Sequence, residues 1–212
     1  MPSKQPPSET QVKRSVERVL AERLPRGWSI QAKTAASGES DRLDLLFEVT
    51  DPAGRSARFA AGVKRTIDPK RVPDASARIL ARANRAKLEA QPVFAAAYLS
   101  TRSREILEDL GVGYVDTTGN VRIQASTPGL FISTQGAARD PWPQPSNLQS
   151  LRGRGAAQAM RAIIDTVPPF GVRELAAASG ASAPTISRVL ELLDREGLIT
   201  RPPRGSVNGV DW

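Results

Sequence analysis

The chain contains no cysteine and no histidine. The first absence excludes a disulfide framework, a thiolate zinc site and a cysteine nucleophile. The second removes imidazole metal ligands and every catalytic triad built on histidine. No apolar run approaches membrane-spanning length, and the N-terminus, M-P-S-K-Q-P-P-S-E-T, lacks the apolar core of a signal peptide. A soluble, cytoplasmic protein with no membrane partner is therefore expected. No internal repeat is visible. Acidic residues are in deficit, 22 against 30 lysines and arginines, for a formal charge of +8. Such an excess suits a polyanionic partner, nucleic acid first. Residues 151–212 hold eight arginines and six acids, which leaves 22 basic and 16 acidic residues for 1–150. The charge is thus spread over the chain. A length of 212 residues, 40% of them hydrophobic, allows one large or two small domains with ample core.

What is present is a patterned stretch near the C-terminus, G-V-R-E-L-A-A-A-S-G-A-S-A-P-T-I-S-R-V-L-E-L-L-D-R-E-G-L-I-T-R-P-P-R, residues 171–204. Val172, Leu175 and Ala176 are spaced to bury one face of a short helix. Ser179-Gly180 supplies a turn, where glycine takes a left-handed backbone without a Cβ penalty. Ser182 is a natural N-cap, with Pro184 tolerated in the first turn of the next helix. Ile186, Val189, Leu190 and Leu193 form a single apolar stripe, and Gly197 ends the helix. The residues off that stripe, Pro184, Thr185, Ser187 and Arg188, occupy the end that a recognition helix presents to base edges. Serine and threonine bond phosphate or base, and arginine can pair two acceptors on guanine. Thr200 to Ser206, with Arg201 and Arg204, reads as a basic wing tip. The bland alternative is a helical hairpin packing a core or a dimer interface. The run S-A-P-T-I-S-R-V-L-E-L-L-D-R-E-G-L-I resembles the recognition helix of winged-helix regulators, the broad MarR/IclR-like superfamily. That resemblance implies binding to double-stranded DNA, with Thr185, Ser187 and Arg188 as readers and Ser182 and Pro184 beside them, and a homodimer reading two half-sites is expected on general grounds. Arg152, Arg154, Arg173, Arg201 and Arg204 would surround them.

Ahead of this module the chain reads as a polar tail over 1–9, an α/β domain over 10–135 and a Pro-rich linker over 136–150, with the winged helix over 151–212. Thr10 is the expected cap of a first helix buried through Val12, Val16, Val19, Leu20 and Leu24. Strands follow over 28–35, 43–49 and 57–63, with Ser37 to Ser40 as a turn. Asp74 is expected to cap a helix over 75–90. Pro92 to Leu99, P-V-F-A-A-A-Y-L, reads as a strand buried on both faces. A helix over 101–110 and strands over 112–116, 121–125 and 130–133 complete a mixed sheet, with Gly119-Asn120 as a type I′ turn. Alternatively, Tyr114, Asp116 and Asn120 form a small polar site near Asp44. Trp142 is positioned to pin the linker to one domain. At the far end a wing strand is expected to finish at Val210-Asp211-Trp212, where either the chain runs on or Trp212 packs back.

The order α-β-β-β-α-β, with Asp44 in the second strand and Lys64 ending the third, resembles the restriction-endonuclease-like PD-(D/E)XK fold over residues 10–135. In active members of that family an Asp and the acid of (D/E)-X-K hold Mg²⁺ while the Lys activates water or stabilises phosphate charge. The matching triplet here is Gly62-Val63-Lys64, so the second acid is a glycine. The resemblance implies a nuclease fold that has lost catalysis and holds no cofactor. If it were active, Asp44, Glu48 and Lys64 would carry the reaction, with Glu17 and Glu22 as further helix acids, because one carboxylate holds Mg²⁺ poorly. The segment G-V-G-Y-V-D-T-T-G-N-V-R-I, residues 111–123, is similar to a motif in actinobacterial helix-turn-helix proteins. Arg78, Arg82 and Arg85 fall on one helix face. With Lys64, Arg65, Lys70 and Arg71 they outnumber the local acids, Asp68 and Asp74, and read either as a solvated face or as a phosphate-contacting surface. The combined expectation is a transcriptional regulator and not an enzyme. A Mg²⁺-dependent endonuclease and an antitoxin-like protein-binding module are the alternatives, the latter favoured by a large exposed apolar patch on the α/β domain.

Overall fold

The computed structural model describes residues 5–33, 43–87, 89–143, 151–201 and 206–210. The chain divides into two compact units, Met1–Trp142 and Pro143–Trp212.

Helix α1, Glu9–Ala21, opens the first unit and begins earlier than Thr10 suggests. Ser8 is its N-cap: the Ser8 hydroxyl accepts from Gln11 N, and the Gln11 side chain accepts from Ser8 N. The pattern S-E-T-Q is a capping box, which satisfies two otherwise orphaned donors and outcompetes a lone threonine two residues later. Strands β1 (Ser29–Lys33), β2 (Leu45–Thr50) and β3 (Ser56–Lys64) form an antiparallel meander. After a 3-10 turn at Pro69–Arg71 come α2 (Val72–Arg85), β4 (Gln91–Ala96), α3 (Thr101–Asp109) and β5 (Gly113–Asp116). Strands β6 (Val121–Ala125) and β7 (Leu130–Thr134) close the unit.

The seven strands lie in sequence order, and β4 pairs in parallel with both β3 and β5. Parallel neighbours require crossovers, which α2 and α3 supply. Crossovers of one hand that step in one direction leave both helices on one face. Accordingly, Val72, Ile79 and Ala83 of α2 and Leu107 of α3 pack with Ala60, Phe94 and Tyr114. Helix α1 covers the opposite face, where Val12, Val16 and Leu20 meet Phe47, Phe59, Val63, Val115 and Ile123. Phe47 and Phe59 stack there with ring centroids 4.9 Å apart. Strand β4 sends Val93 and Ala95 to one layer and Phe94 and Ala96 to the other, which is why its sequence is apolar without alternation.

Three local expectations are corrected. Helix α2 starts at Val72, so Asp74 lies inside its first turn beside Pro73, and the helix stops at Arg85. Proline's fixed φ suits the first helical turn, and this sets the start. Asp44 immediately precedes β2 and is not part of it. The β5–β6 connection is not a type I′ turn. That turn needs positive φ at both central residues, and Gly119 has it, at 102°, while Asn120 does not. Trp142 packs against the α1-side core of its own unit. The turn over 37–40, the linker residues from 144 to 150 and Trp212 lie outside the described residues.

The second unit contains α4 (Arg154–Asp165), α5 (Val172–Ser179), α6 (Ala183–Arg195) and the strand pair β8 (Ile199–Thr200) and β9 (Gly209–Val210). Phe170 and Val207 exchange backbone hydrogen bonds of 3.2 and 2.8 Å and tie the segment before α5 to the hairpin. The core is Ile163, Phe170, Leu175, Ile186, Val189, Leu190, Leu193 and Ile199, with Ala156, Ala159 and Ala162 of α4. Among the described residues no helix is long and apolar enough to cross a membrane.

Candidate nucleic-acid interface

The turn between α5 and α6 is built as its sequence requires. Gly180 caps α5 in the left-handed region at φ 67°, and its N–H donates to Ala176 O. Two residues on, Ser182 is the N-cap of α6 and accepts from Thr185 N. At the other end Gly197 has φ 75°, and Leu198 N donates to Leu193 O at 2.8 Å. This is the 6→1 bond of a Schellman cap, with Leu198 packed back on the core. Both ends of α6 are fixed by local chemistry, so the exposed face has a defined direction.

On that face Ser182, Pro184 and Arg188 are exposed and Ser187 is half-buried. Arg188 has no hydrogen-bond or ion-pair partner among the described residues. Thr185 sits differently from the others. Its hydroxyl lies 2.9 Å from Ser182 Oγ, and a Cβ added at Gly155 of α4 would meet its methyl carbon at 3.2 Å. Thr185 therefore braces the start of α6 against α4. Arg152, Arg154 and Arg173 are exposed, and Arg201 is half-buried just past β8. Arg204 and the wing tip at 202–205 lie outside the described residues. Sequence reasoning passed over Glu191, which is exposed on the face of Arg188 and accepts from the Ser187 hydroxyl at 3.4 Å.

The nuclease-type residues of the first unit are partly brought together. Extending the β2–β3 register by one residue puts Asp44 opposite Gly62, and Asp44 Oδ2 accepts from Val63 N at 2.8 Å. The Asp44 carboxylate is thus held by β3 backbone. At Gly62, where the resemblance to the nuclease motif expected a second acid, a Cβ would meet Ile79 Cγ1 and Cδ1 at 2.6 Å. The space for a second carboxylate is filled by α2. Glu48 does not replace it. Four residues along a strand span about 13 Å, and Glu48 faces Arg58 at 3.6 Å. Lys64 lies 3.7 Å from Glu9 of α1. Among the described residues no group of three acids could hold a metal ion.

In the basic stretch, Lys64, Arg65, Lys70, Arg71, Arg78 and Arg85 are exposed and Arg82 is half-buried. The large exposed hydrophobics of this unit, Leu80, Leu110 and Phe131, are dispersed over α2, the end of α3 and β7. Arg122 stacks over the Phe131 ring at 5.3 Å.

The polar centre that the sequence hinted at is internal. Asp116 and Asn120 are each 1% exposed. Asp116 Oδ1 accepts from Thr118 N, Thr118 Oγ1 and Asn120 N. Its Oδ2 accepts from Leu99 N and Asn120 Nδ2. Asn120 Oδ1 accepts from Arg104 and from Gly136 N, both at 2.9 Å. Tyr114 stands apart from this cluster and donates to Glu108 at 2.8 Å. Burial, together with that carboxylate, pushes the Tyr114 phenol up to about 12.

Residues 156–203 match the model of the IclR helix-turn-helix domain. The match runs from the first turn of α4 past β8 and covers less than a quarter of the chain. It supports a DNA-binding transcriptional regulator in preference to an enzyme. No curated protein and no solved structure matches the chain.

Proposed function

We propose that this chain is a sequence-specific double-stranded DNA-binding regulator of transcription that reads its site with the N-terminal half of α6. The observation that carries the reading is the exposed, unpartnered Arg188 on a helix capped at both ends, inside the segment that matches the helix-turn-helix family. A helix of this kind enters the major groove, and arginine there pairs O6 and N7 of guanine. Ser182, Pro184 and Ser187 flank the contact. Thr185 fixes the helix start. Arg152, Arg154, Arg173, Arg201 and Arg204 bind the phosphates on either side, which positions the helix without reading sequence.

The first unit is a nuclease-like fold without its second metal ligand. Its strand order and the Asp44–Gly62–Lys64 arrangement support that likeness. Ile79 in the place of the missing acid argues against cleavage. The exposed cations from Lys64 to Arg85 add salt-dependent affinity. Two copies related by a two-fold axis would read two half-sites.

The test is binding of the full chain to random and genomic duplexes across a salt series, with Mg²⁺ present and the DNA checked for cutting. Selective, intact complexes weakened by Arg188→Ala are expected. Cleavage abolished by Asp44→Ala would make the protein an endonuclease. Absence of binding at low salt would leave a protein-binding module.

A further inference from the structure

Glu191 is the feature of α6 that the reading above does not use. At about 100° per residue, Pro184, Arg188 and Glu191 all lie within about 30° of the direction opposite the buried stripe of Ile186, Val189, Leu190 and Leu193. Whatever surface Arg188 meets, Glu191 meets too, about 4.5 Å further along the axis. Its carboxylate has no cationic partner among the described residues. By contrast, Glu196 lies 3.6 Å from Arg195. Among the described residues the one hydrogen bond of Glu191 is a long one from the neutral Ser187 hydroxyl, which steadies the side chain along the exposed face.

An unpaired carboxylate aimed at DNA meets either phosphates, which repel it, or base edges. Of the four bases in the major groove, guanine and thymine present acceptors to it, through O6 and N7 or O4. Adenine presents its N6 donor beside the N7 acceptor. Cytosine alone offers the N4 amino donor with no acceptor next to it. Resting on the proposal that α6 reads DNA, we infer that Glu191 is a specificity-determining residue that accepts from cytosine N4. That cytosine lies within one or two base pairs of the guanine bound by Arg188, since 4.5 Å of helix rise compares with a base-pair step of about 3.4 Å. Arg188 and Glu191 together would then favour a G- and C-containing core in each site and reject sites with thymine at the second position.

The experiment is selection of sites from random duplexes by the full chain, in parallel for wild type, Arg188→Ala, Glu191→Gln and Glu191→Ala. Arg188→Ala locates the guanine as the position whose preference it erases. Wild type is expected to require cytosine close by. Glu191→Gln is expected to move that one position from cytosine to adenine, because an amide both donates to N7 and accepts from N6, with about tenfold discrimination in each direction. Glu191→Ala should leave the position indifferent. Both substitutions are on the surface, and an unchanged thermal transition shows that the fold is kept. If Glu191→Gln tightens binding to all duplexes alike with the same base preferences, Glu191 only repels phosphate and the inference fails. Unchanged preference and unchanged affinity overturn it equally. If wild type selects no duplex at all, the DNA-reading proposal itself is what has failed.

Discussion

The two units treat polar side chains in opposite ways. In the first, Asp51, Ser76, Ser103, Asp116 and Asn120 are buried, while the second buries no polar side chain among its described residues. Around Asp116 the buried groups bond one another and the backbone of two connections, β4–α3 and β5–β6, together with the chain leaving β7, and of this cluster's buried side-chain atoms Arg104 Nε alone is left without a partner. Each such bond is worth little net, but each unmade bond is costly, so the cluster specifies one conformation. In the second unit the core is wholly apolar, and the polar groups of α6 stand outside it. Polar side chains hold the interior together in one case and stand at the surface in the other. Residues 156–203, which match the IclR helix-turn-helix domain, lie in this second unit.

The largest expected effect tests the first half of that contrast. Asp116→Ala removes the acceptor for Leu99 N, Thr118 N, Asn120 N and Asn120 Nδ2 at once. With about 1–3 kcal/mol for each buried donor left unsatisfied, and some relaxation, a loss of more than about 3 kcal/mol is expected in urea unfolding. Arg188→Ala, on the exposed face, should stay within about 0.5 kcal/mol. Equal effects from the two would erase the distinction. The next effect is smaller and concerns Gly62. Gly62→Ala forces a Cβ against the buried Ile79 and should cost about 1–3 kcal/mol. The same change should cost less beside Ile79→Val, and a double-mutant cycle measures the difference. If Gly62→Ala were neutral, the site would have room, and the case against a second carboxylate would weaken.

These two positions also mark where the sequence was readable. The helix-turn-helix was legible because its signals are local: a glycine between two apolar stripes, a serine at the cap, a Gly-Leu ending. The strands of the first unit were legible from the same kind of pattern, since S-A-R-F-A-A-G-V-K and P-V-F-A-A-A-Y-L carry their own burial. Gly62 could be seen as a missing acid, but that α2 sends Ile79 into its place depends on packing between elements far apart in the chain. The Asp116 cluster was hidden for a related reason. T-T-G-N resembles an ordinary turn, and nothing local shows that Asn120 will turn inward to meet Arg104 and Gly136. Glu191 was overlooked because an exposed glutamate is the commonest thing on a helix, and only the fixed direction of α6 gives it a meaning.

The binding contrast should be visible within the DNA complex itself. Arg188→Ala is expected to cost about 1–3 kcal/mol on the selected site and little on random DNA. Arg78→Ala, in the basic stretch of the first unit, should weaken selected and random duplexes alike and lower the salt slope by about 1. Should Arg78→Ala change base preference, or leave the slope untouched, the first unit's cations would not be a phosphate surface.

The smallest effect belongs to Tyr114, and it is confined to the first unit because both tyrosines of the chain, Tyr98 and Tyr114, lie there. Tyr114→Phe removes the bond to Glu108 and should cost about 1 kcal/mol near neutral pH. Its pH dependence is more telling than its size. Burial and the Glu108 carboxylate raise the folded phenol to about 12, above the ordinary value of 10.0. Below pH 10 both folded and unfolded chains keep the proton, and the contribution is complete. Between pH 10 and 12 the unfolded chain releases its proton while the folded chain holds it, so stability falls as pH rises. The phenylalanine variant escapes that loss. The gap between wild type and Tyr114→Phe should therefore narrow and then reverse across this window in denaturant melts. Ultraviolet titration of the folded protein should lose its higher tyrosine step in the variant. A gap that stayed constant through pH 12 would mean that Tyr114 reaches solvent freely, and that the polar interior of the first unit is looser at its margin than around Asp116.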